Sequence, residues 1–179
     1  CTHSIISVGI EDLFESTMDL LEFGVKNILV EKPAGIGVVE IEKIKLIAKK
    51  KKANVFVAYN RRFYSSTLKA KELIKEDGGV ESFNFEFTEW SNEINMLPLS
   101  DRVKKNWFLA NSSHVLDLSF FLGGKPTKMS CYASGKKKLN WHPSYPKFSG
   151  AGITDSGALF SYNANWCAPG RWFVEMLTN

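Results

Sequence analysis

Up to Phe63 the chain alternates short apolar runs with longer segments that carry apolar residues at helical spacing. Ser4–Val8 (SIISV) reads as a short buried strand. A helix is expected from about residue 11, with Leu13, Thr17 and Leu21 on one face, Phe14 and Met18 beside them, and Gly24 as its stop. Asn27–Glu31 (NILVE) is the next strand, broken by Lys32-Pro33-Ala34-Gly35. Val38–Lys51 places Ile41, Ile44, Ile47 and Ala48 at helical spacing, and Asn54–Tyr59 (NVFVAY) is a third strand. Near-continuous apolar strands joined by helices predict a parallel sheet covered on both faces.

After Phe63 the rhythm changes. Ser65–Glu76 reads as a helix stopped by Gly78-Gly79. Glu81–Trp90 alternates, with Phe83, Phe85 and Phe87 on one side and Asn84, Glu86 and Thr88 on the other, the pattern of a half-buried antiparallel strand. A polar loop containing Pro98 leads to a helix expected over roughly 105–122, ended by Gly123-Gly124 and Pro126. Strand-like runs follow at Lys128–Ser134, Gly157–Trp166 and Trp172–Leu177, with Leu139–Gly152 between them read as a long Pro-, Gly- and Ser-rich loop. The expected fold class is α/β: a partial Rossmann-like parallel sheet over 1–63, then an incomplete α+β domain over 64–179 whose open, mostly antiparallel sheet has about four strands.

Composition narrows the classes without naming one. The 179 residues are 44% hydrophobic and 13% aromatic, with thirteen Phe and five Trp, which suits a packed core rather than disorder. No apolar run approaches the roughly 20 residues of a membrane span. The net charge of +4 matters for nucleic acid only if it is organised. Lys49–Lys52 closes a predicted helix, where cations complement the dipole, and Lys136–Lys138 falls between strands, so no nucleic-acid partner is expected. Cys1, Cys131 and Cys167 lack the spacing of a metal or disulfide set, and are expected to be buried thiols in a cytoplasmic protein. The start carries no signal-peptide pattern.

Candidate chemistry gathers at strand ends. Lys32 follows an apolar strand and precedes Pro33, at the carboxyl edge where open parallel sheets bind ligands; partial desolvation there suits an amine to proton transfer, though a lysine opening a surface loop reads the same way. Tyr59-Asn60-Arg61-Arg62-Phe63 ends the third strand, and its amide and guanidiniums suit a carboxylate, a phosphate or sugar hydroxyls, unless one arginine serves a structural ion pair. In Asn111-Ser112-Ser113-His114-Val115-Leu116-Asp117, helical spacing puts Asn111 and His114 on one face, with Asp117 close by to orient the imidazole. Asp117 could equally cap a neighbouring element. Gly35-Ile36-Gly37 fails as a dinucleotide fingerprint because Glu40 stands where a small third residue belongs. Trp141, Tyr145 and Phe148 could line a sugar site or anchor their loop, and His3 and His142 carry no specific signal.

GVKNILVEKPAG (24–35), VAYNRRF (57–63), SHVLDLSFFLGG (113–124) and ALFSYNANWCAPGRWFVEML (158–177), in this order and spacing, resemble the Gfo/Idh/MocA oxidoreductases, the glucose-fructose oxidoreductase and inositol dehydrogenase family. The resemblance implies a Rossmann domain followed by an α/β domain whose open sheet forms a homo-oligomer interface. It also implies hydride transfer between NAD or NADP and a sugar or nucleotide-sugar hydroxyl or carbonyl. It makes Lys32 and His114 the catalytic pair and places Val8, Glu31, Lys32, Tyr59 and Asn60 at the cofactor. Asn111, Arg61, Arg62 and Asp117 fall to the substrate.

Three departures qualify this expectation. Many members carry Asp four residues before the histidine, where this chain has Ala110; Asn111 is the nearest polar substitute, and it cannot act as a base. The family's frequent Asn and His after the fourth Rossmann strand are replaced by SVGIEDLF. The glycine fingerprint and the residue that selects NAD or NADP are missing, so the resemblance implies a fragment lacking the N-terminal half of the Rossmann domain and the end of the second sheet, inactive by itself. The alternative expectation is a non-catalytic relative acting as a binding or assembly module.

Overall fold

The structure is a computed structural model describing residues 1–142 and 144–179; Pro143, within the loop expected over 139–152, lies outside the described residues. The described residues divide into two units, Cys1–Tyr59 with Ser100–Asn111, and Asn60–Leu99 with Ser112–Asn179. The segment 100–111, which the reading along the chain places in the second domain, groups with the first.

In the first unit, β1 (His3–Ile6), β2 (Asn27–Glu31) and β3 (Asn54–Ala58) form a parallel sheet in the order β1-β2-β3. Helices α1 (Leu13–Phe23) and α2 (Val38–Lys51) connect them. Leu13, Thr17 and Leu21, the predicted face of α1, are buried with Ile28 and Val30 of β2 and Ile44 and Ala48 of α2. Gly24 ends α1 at φ 96°, a left-handed conformation that costs a side-chain-bearing residue energy, and its N–H reaches back to Leu20 and Leu21. Lys49, Lys50 and Lys51 occupy the last turn of α2, as the charge argument requires. In this chain α1 and α2 cover one face of the sheet. Ile5 (76% exposed), Leu29 and Phe56 lie on an open face, because period-2 alternation puts them opposite the side that α1 and α2 cover.

In the second unit a short 3₁₀ turn (Asn60–Phe63) leads into α3 (Ser65–Glu76), followed by β4 (Ser82–Phe87). The sheet has five strands rather than four, in the order β5-β6-β7-β4-β8, with β5 Pro126–Ser134, β6 Lys147–Thr154, β7 Leu159–Asn165 and β8 Trp172–Leu177. Its pairings are antiparallel except between β4 and β7, so β4, read as antiparallel, has one parallel neighbour.

Strand β6 was hidden by its glycines. A Cβ on Gly150 would stand 2.4 Å from the Tyr162 hydroxyl, and one on Gly152 would stand 2.6 Å from the Phe160 ring. Aromatic rings of β7 lie over these bare backbone positions, so residues that read as a loop are required by cross-strand packing. Phe148, expected in that loop, belongs to β6.

Two short helices, α4 (Ser91–Met96) and α5 (Asp101–Lys105), occupy what reads as polar loop and helix start. The single helix expected over 105–122 is interrupted: a π-helical turn spans Phe108–Ser112 before α6 (Ser113–Gly123). Helix α6 packs on the aromatic face of the sheet. Phe120 meets Phe83, Phe85 and Phe160 edge-on, and a side chain at Gly123 would strike the Phe83 ring. The cysteines are free, as expected, but not buried: Cys1 and Cys131 are exposed and Cys167 is partly so.

Candidate active site

In the first unit Lys32 follows β2, at the carboxyl edge of the parallel sheet, with a cis peptide to Pro33. Its ammonium donates to the Ala110 carbonyl at 2.5 Å. Ala110 itself is buried with Ile36 and Val103, so the 100–111 segment is seated by apolar contacts that bring its carbonyl to Lys32. The backbone of residue 110 therefore supplies the hydrogen bond acceptor, although its side chain has no acid. Glu31 is exposed and its carboxylate accepts the Lys32 backbone N–H at 3.2 Å. Val8 lies two residues beyond β1 and is half-exposed, and Tyr59 is half-buried beyond β3. Asn111 is half-buried in the π-helical turn.

The glycine loop before α2 is internally capped. Glu40 accepts the Ile36 N–H at 2.7 Å, and Arg102 donates to the same carboxylate at 2.7 Å. A Cβ on Gly35 would stand 3.0 Å from that side chain. An acid already occupies the anion-binding end of α2, which is the physical reason the motif is no phosphate cradle.

In the second unit the start of α6 organises the remaining candidates. His114, half-buried, lies in its first turn. One turn on, Asp117 receives both forks of Arg62: Nε donates to Oδ2 at 2.8 Å, and an NH₂ donates to Oδ1. This bidentate pair ties α6 to the 3₁₀ turn, and the Arg62 guanidinium also lies over the Phe121 ring at 5.0 Å. Arg61 lies over Trp172 at 4.8 Å, while Asn60 is exposed at the start of the turn.

Reading by motif passed over Glu89. Its carboxylate is 8% exposed and accepts the Ser112 hydroxyl at 3.0 Å, two residues before His114. A signal was present in the alternation. Phe83, Phe85, Phe87 and Glu89 share one parity, so an acid falls in the buried register of an aromatic strand. Its burial beside a hydroxyl donor adds a second carboxylate, besides Asp117, near the start of α6.

His142, which carried no signal in the sequence, is 4% exposed and wedged edge-on against Trp166, with ring centres 5.0 Å apart. Burial lowers its pKa from the ordinary 6.5, against a smaller opposing effect of the Ser144 backbone. The unfolded chain then binds the extra proton, so this contribution to stability is full above pH 6.5 and is lost as the pH falls below it. Thermal melts between about pH 7 and pH 5 should show a falling midpoint, and His142→Gln should flatten the slope. An unchanged slope in the variant would remove His142 from that account.

Among the described residues there is no group of His, Cys, Asp and Glu able to hold a metal ion, and no helix long and apolar enough to cross a membrane.

No protein-family profile matches the chain, and no curated protein sequence matches it. Solved structures do. Levoglucosan dehydrogenase, in complex with NADH and levoglucosan, aligns over 99% of this chain and 52% of its own, with 24% identity and a TM-score of 0.76. The WlbA dehydrogenase of Bordetella pertussis, in complex with NADH and UDP-GlcNAcA, aligns over 100% and 57%, with 14% identity and a TM-score of 0.78. An NAD binding oxidoreductase of Klebsiella pneumoniae aligns over 97% and 50%, with 19% identity and a TM-score of 0.75. The chain thus spans about half the length of each. Its three-stranded parallel sheet followed by an open mixed sheet is the fold these three oxidoreductase structures share over about half their length.

Proposed function

We propose that this chain is part of an NAD(P)-dependent oxidoreductase that acts on a sugar or nucleotide sugar. The carrying observation is Lys32: an ammonium at the carboxyl edge of a parallel sheet, held by the Ala110 carbonyl at 2.5 Å. That edge is where such sheets place their ligands. Two neighbouring structures support the substrate class, since one holds levoglucosan and the other UDP-GlcNAcA.

The residues present fit the nicotinamide end of a dinucleotide. Half-exposed Val8, exposed Glu31 and half-buried Tyr59 stand at or just past the carboxyl ends of successive strands of one sheet, and Asn60 comes next in the chain. They do not supply a pyrophosphate cradle at the Gly35–Gly37 loop, because Glu40 already caps the start of α2 there. When bound, the nicotinamide provides the hydride acceptor or donor. The chain's own part is proton transfer and orientation. Lys32 polarises the reacting oxygen, and His114 takes or returns its proton. Asn111, Asn60 and Arg61 contact substrate hydroxyls, while the Arg62–Asp117 pair holds the helix that carries His114. The uncovered face of the five-stranded sheet is assigned to a second copy of the chain.

The intact protein should reduce NAD or NADP with at least one member of a panel of sugars and nucleotide sugars, followed by nicotinamide absorbance. Binding of NADH without turnover on any of them would favour a non-catalytic relative, the reading that Ala110 motivates. Failure of both would sink the proposal.

A further inference from the structure

The second unit holds a cleft of about 580 Å³ that none of the residues above explains. Helix α4, the connection from β5 to β6 and the turn after β7 enclose it, with Trp90, Asn92, Asn95, Asn140, Lys138 and Cys167 among its walls. Its volume lies within the roughly 300–1,000 Å³ of small-molecule sites.

The walls are braced. Trp166 is fully buried beneath the cleft, and Trp141 stacks on it with ring centres 6.0 Å apart. The Trp141 indole N–H donates to the Ser91 hydroxyl at 2.9 Å, fixing α4 to the opposite loop. Trp90 is different: 52% exposed, it is anchored through its indole N–H to the Gly170 carbonyl at 3.3 Å. An aromatic ring held at its polar end and open over half its surface is a preformed stacking platform.

The polar lining narrows the ligand. Asn92, Asn95 and Asn140 bring three amides, each a donor and an acceptor, and Lys138 adds one ammonium; among the described residues no carboxylate lines the cleft. Without an acid it repels no anion and holds no metal, and one cation is too few for a polyphosphate. Indole beside several amides matches a ring with an apolar C–H face and a rim of hydroxyls. We propose that this cleft binds a pyranose unit, stacked on Trp90 with its hydroxyls on the three amides. Glu89, next to Trp90 in the chain, is bonded to Ser112 at the start of α6, which links the segment carrying Trp90 to the helix that carries His114. On the sugar reading above, it takes a ring other than the one oxidised, and the substrate is a glycoside of more than one ring.

Cys167 lines the cleft and reports on it, whereas Cys1 and Cys131 lie outside its lining and serve as internal controls. Iodoacetamide labelling, resolved by peptide mass spectrometry, should be slowed severalfold at Cys167 alone by millimolar cellobiose, maltose or methyl glucoside. Trp90→Ala should abolish that protection, measured against the variant's own unprotected labelling rate, while leaving the circular dichroism spectrum unchanged. No protection by any of the three sugars, or equal protection in Trp90→Ala, would overturn the proposal. Should Trp90→Ala prove misfolded, Asn140→Ala serves in its place, with the same two outcomes. The assay involves no turnover, so absence of redox activity with protection intact would count against the reaction and not against the cleft.

Discussion

Replacing Lys32 by Met in the intact protein is expected to lower kcat/KM by about a hundred- to ten-thousandfold, the range that a positioned acid–base group supplies. Methionine keeps the length and apolar character of the stem and removes only the ammonium. Lys32 Nζ now donates to the Ala110 carbonyl, so the variant loses both the charge at the sheet edge and the bond that fixes it. NADH affinity, read by fluorescence, should stay within a few-fold, because the residues beside it that are assigned to the cofactor, Val8, Glu31 and Tyr59, are untouched. Turnover near that of the parent protein would show that Lys32 is a structural tether. Loss of NADH affinity together with turnover would show that the variant damages the sheet edge rather than the chemistry.

Trp166→Ala is expected to destabilise the chain by about 3–5 kcal/mol, the cost of deleting a large buried aromatic. Trp166 is fully buried and donates its indole N–H to the Phe87 carbonyl at 3.3 Å. It also stacks on Trp141 and meets His142 and Phe148 edge-on. Truncation opens a cavity among three rings and leaves the Phe87 carbonyl without that donor. Such a loss is a large part of an ordinary domain's stability of about 5–15 kcal/mol. Urea unfolding followed by circular dichroism measures it through the shift in midpoint. A loss below about 1 kcal/mol would mean that neighbouring rings collapse into the space.

Local signals were strongest where burial and period agree. Asn27–Glu31, Val38–Lys51 and Ser65–Glu76 carry the boundaries read from pattern alone, since a single apolar stripe or run defined each. Elements were missed where their reason lay in another part of the chain. Strand β6 contains Gly150 and Gly152 because Tyr162 and Phe160 lie over them, a requirement no local window contains. The helix expected over 105–122 breaks at Phe108–Ser112. At the break Ala110 packs with Ile36, while the portion after it lays Phe120 on the aromatic sheet.

The same division runs through the candidate site. Lys32 and the Tyr59–Arg62 stretch stood out because each ends an apolar strand, whereas His114 stood out only by its helical spacing from Asn111 and Asp117, and that it opens a helix came from the structure. Glu89 was legible only as a misplaced parity, and its meaning came from Ser112, 23 positions away. The sequence left Arg62 open as a ligand contact or a structural ion pair, and the structure pairs it with Asp117, a partner 55 positions away. By itself the sequence determined the strand–helix alternation of the parallel unit and the positions of α3, β4 and β8, because hydrophobic period is a local property. Tertiary structure decided which polar groups hold each other and which rings cover which glycines. Those outcomes depend on distances between residues far apart in the chain, and no periodicity encodes them.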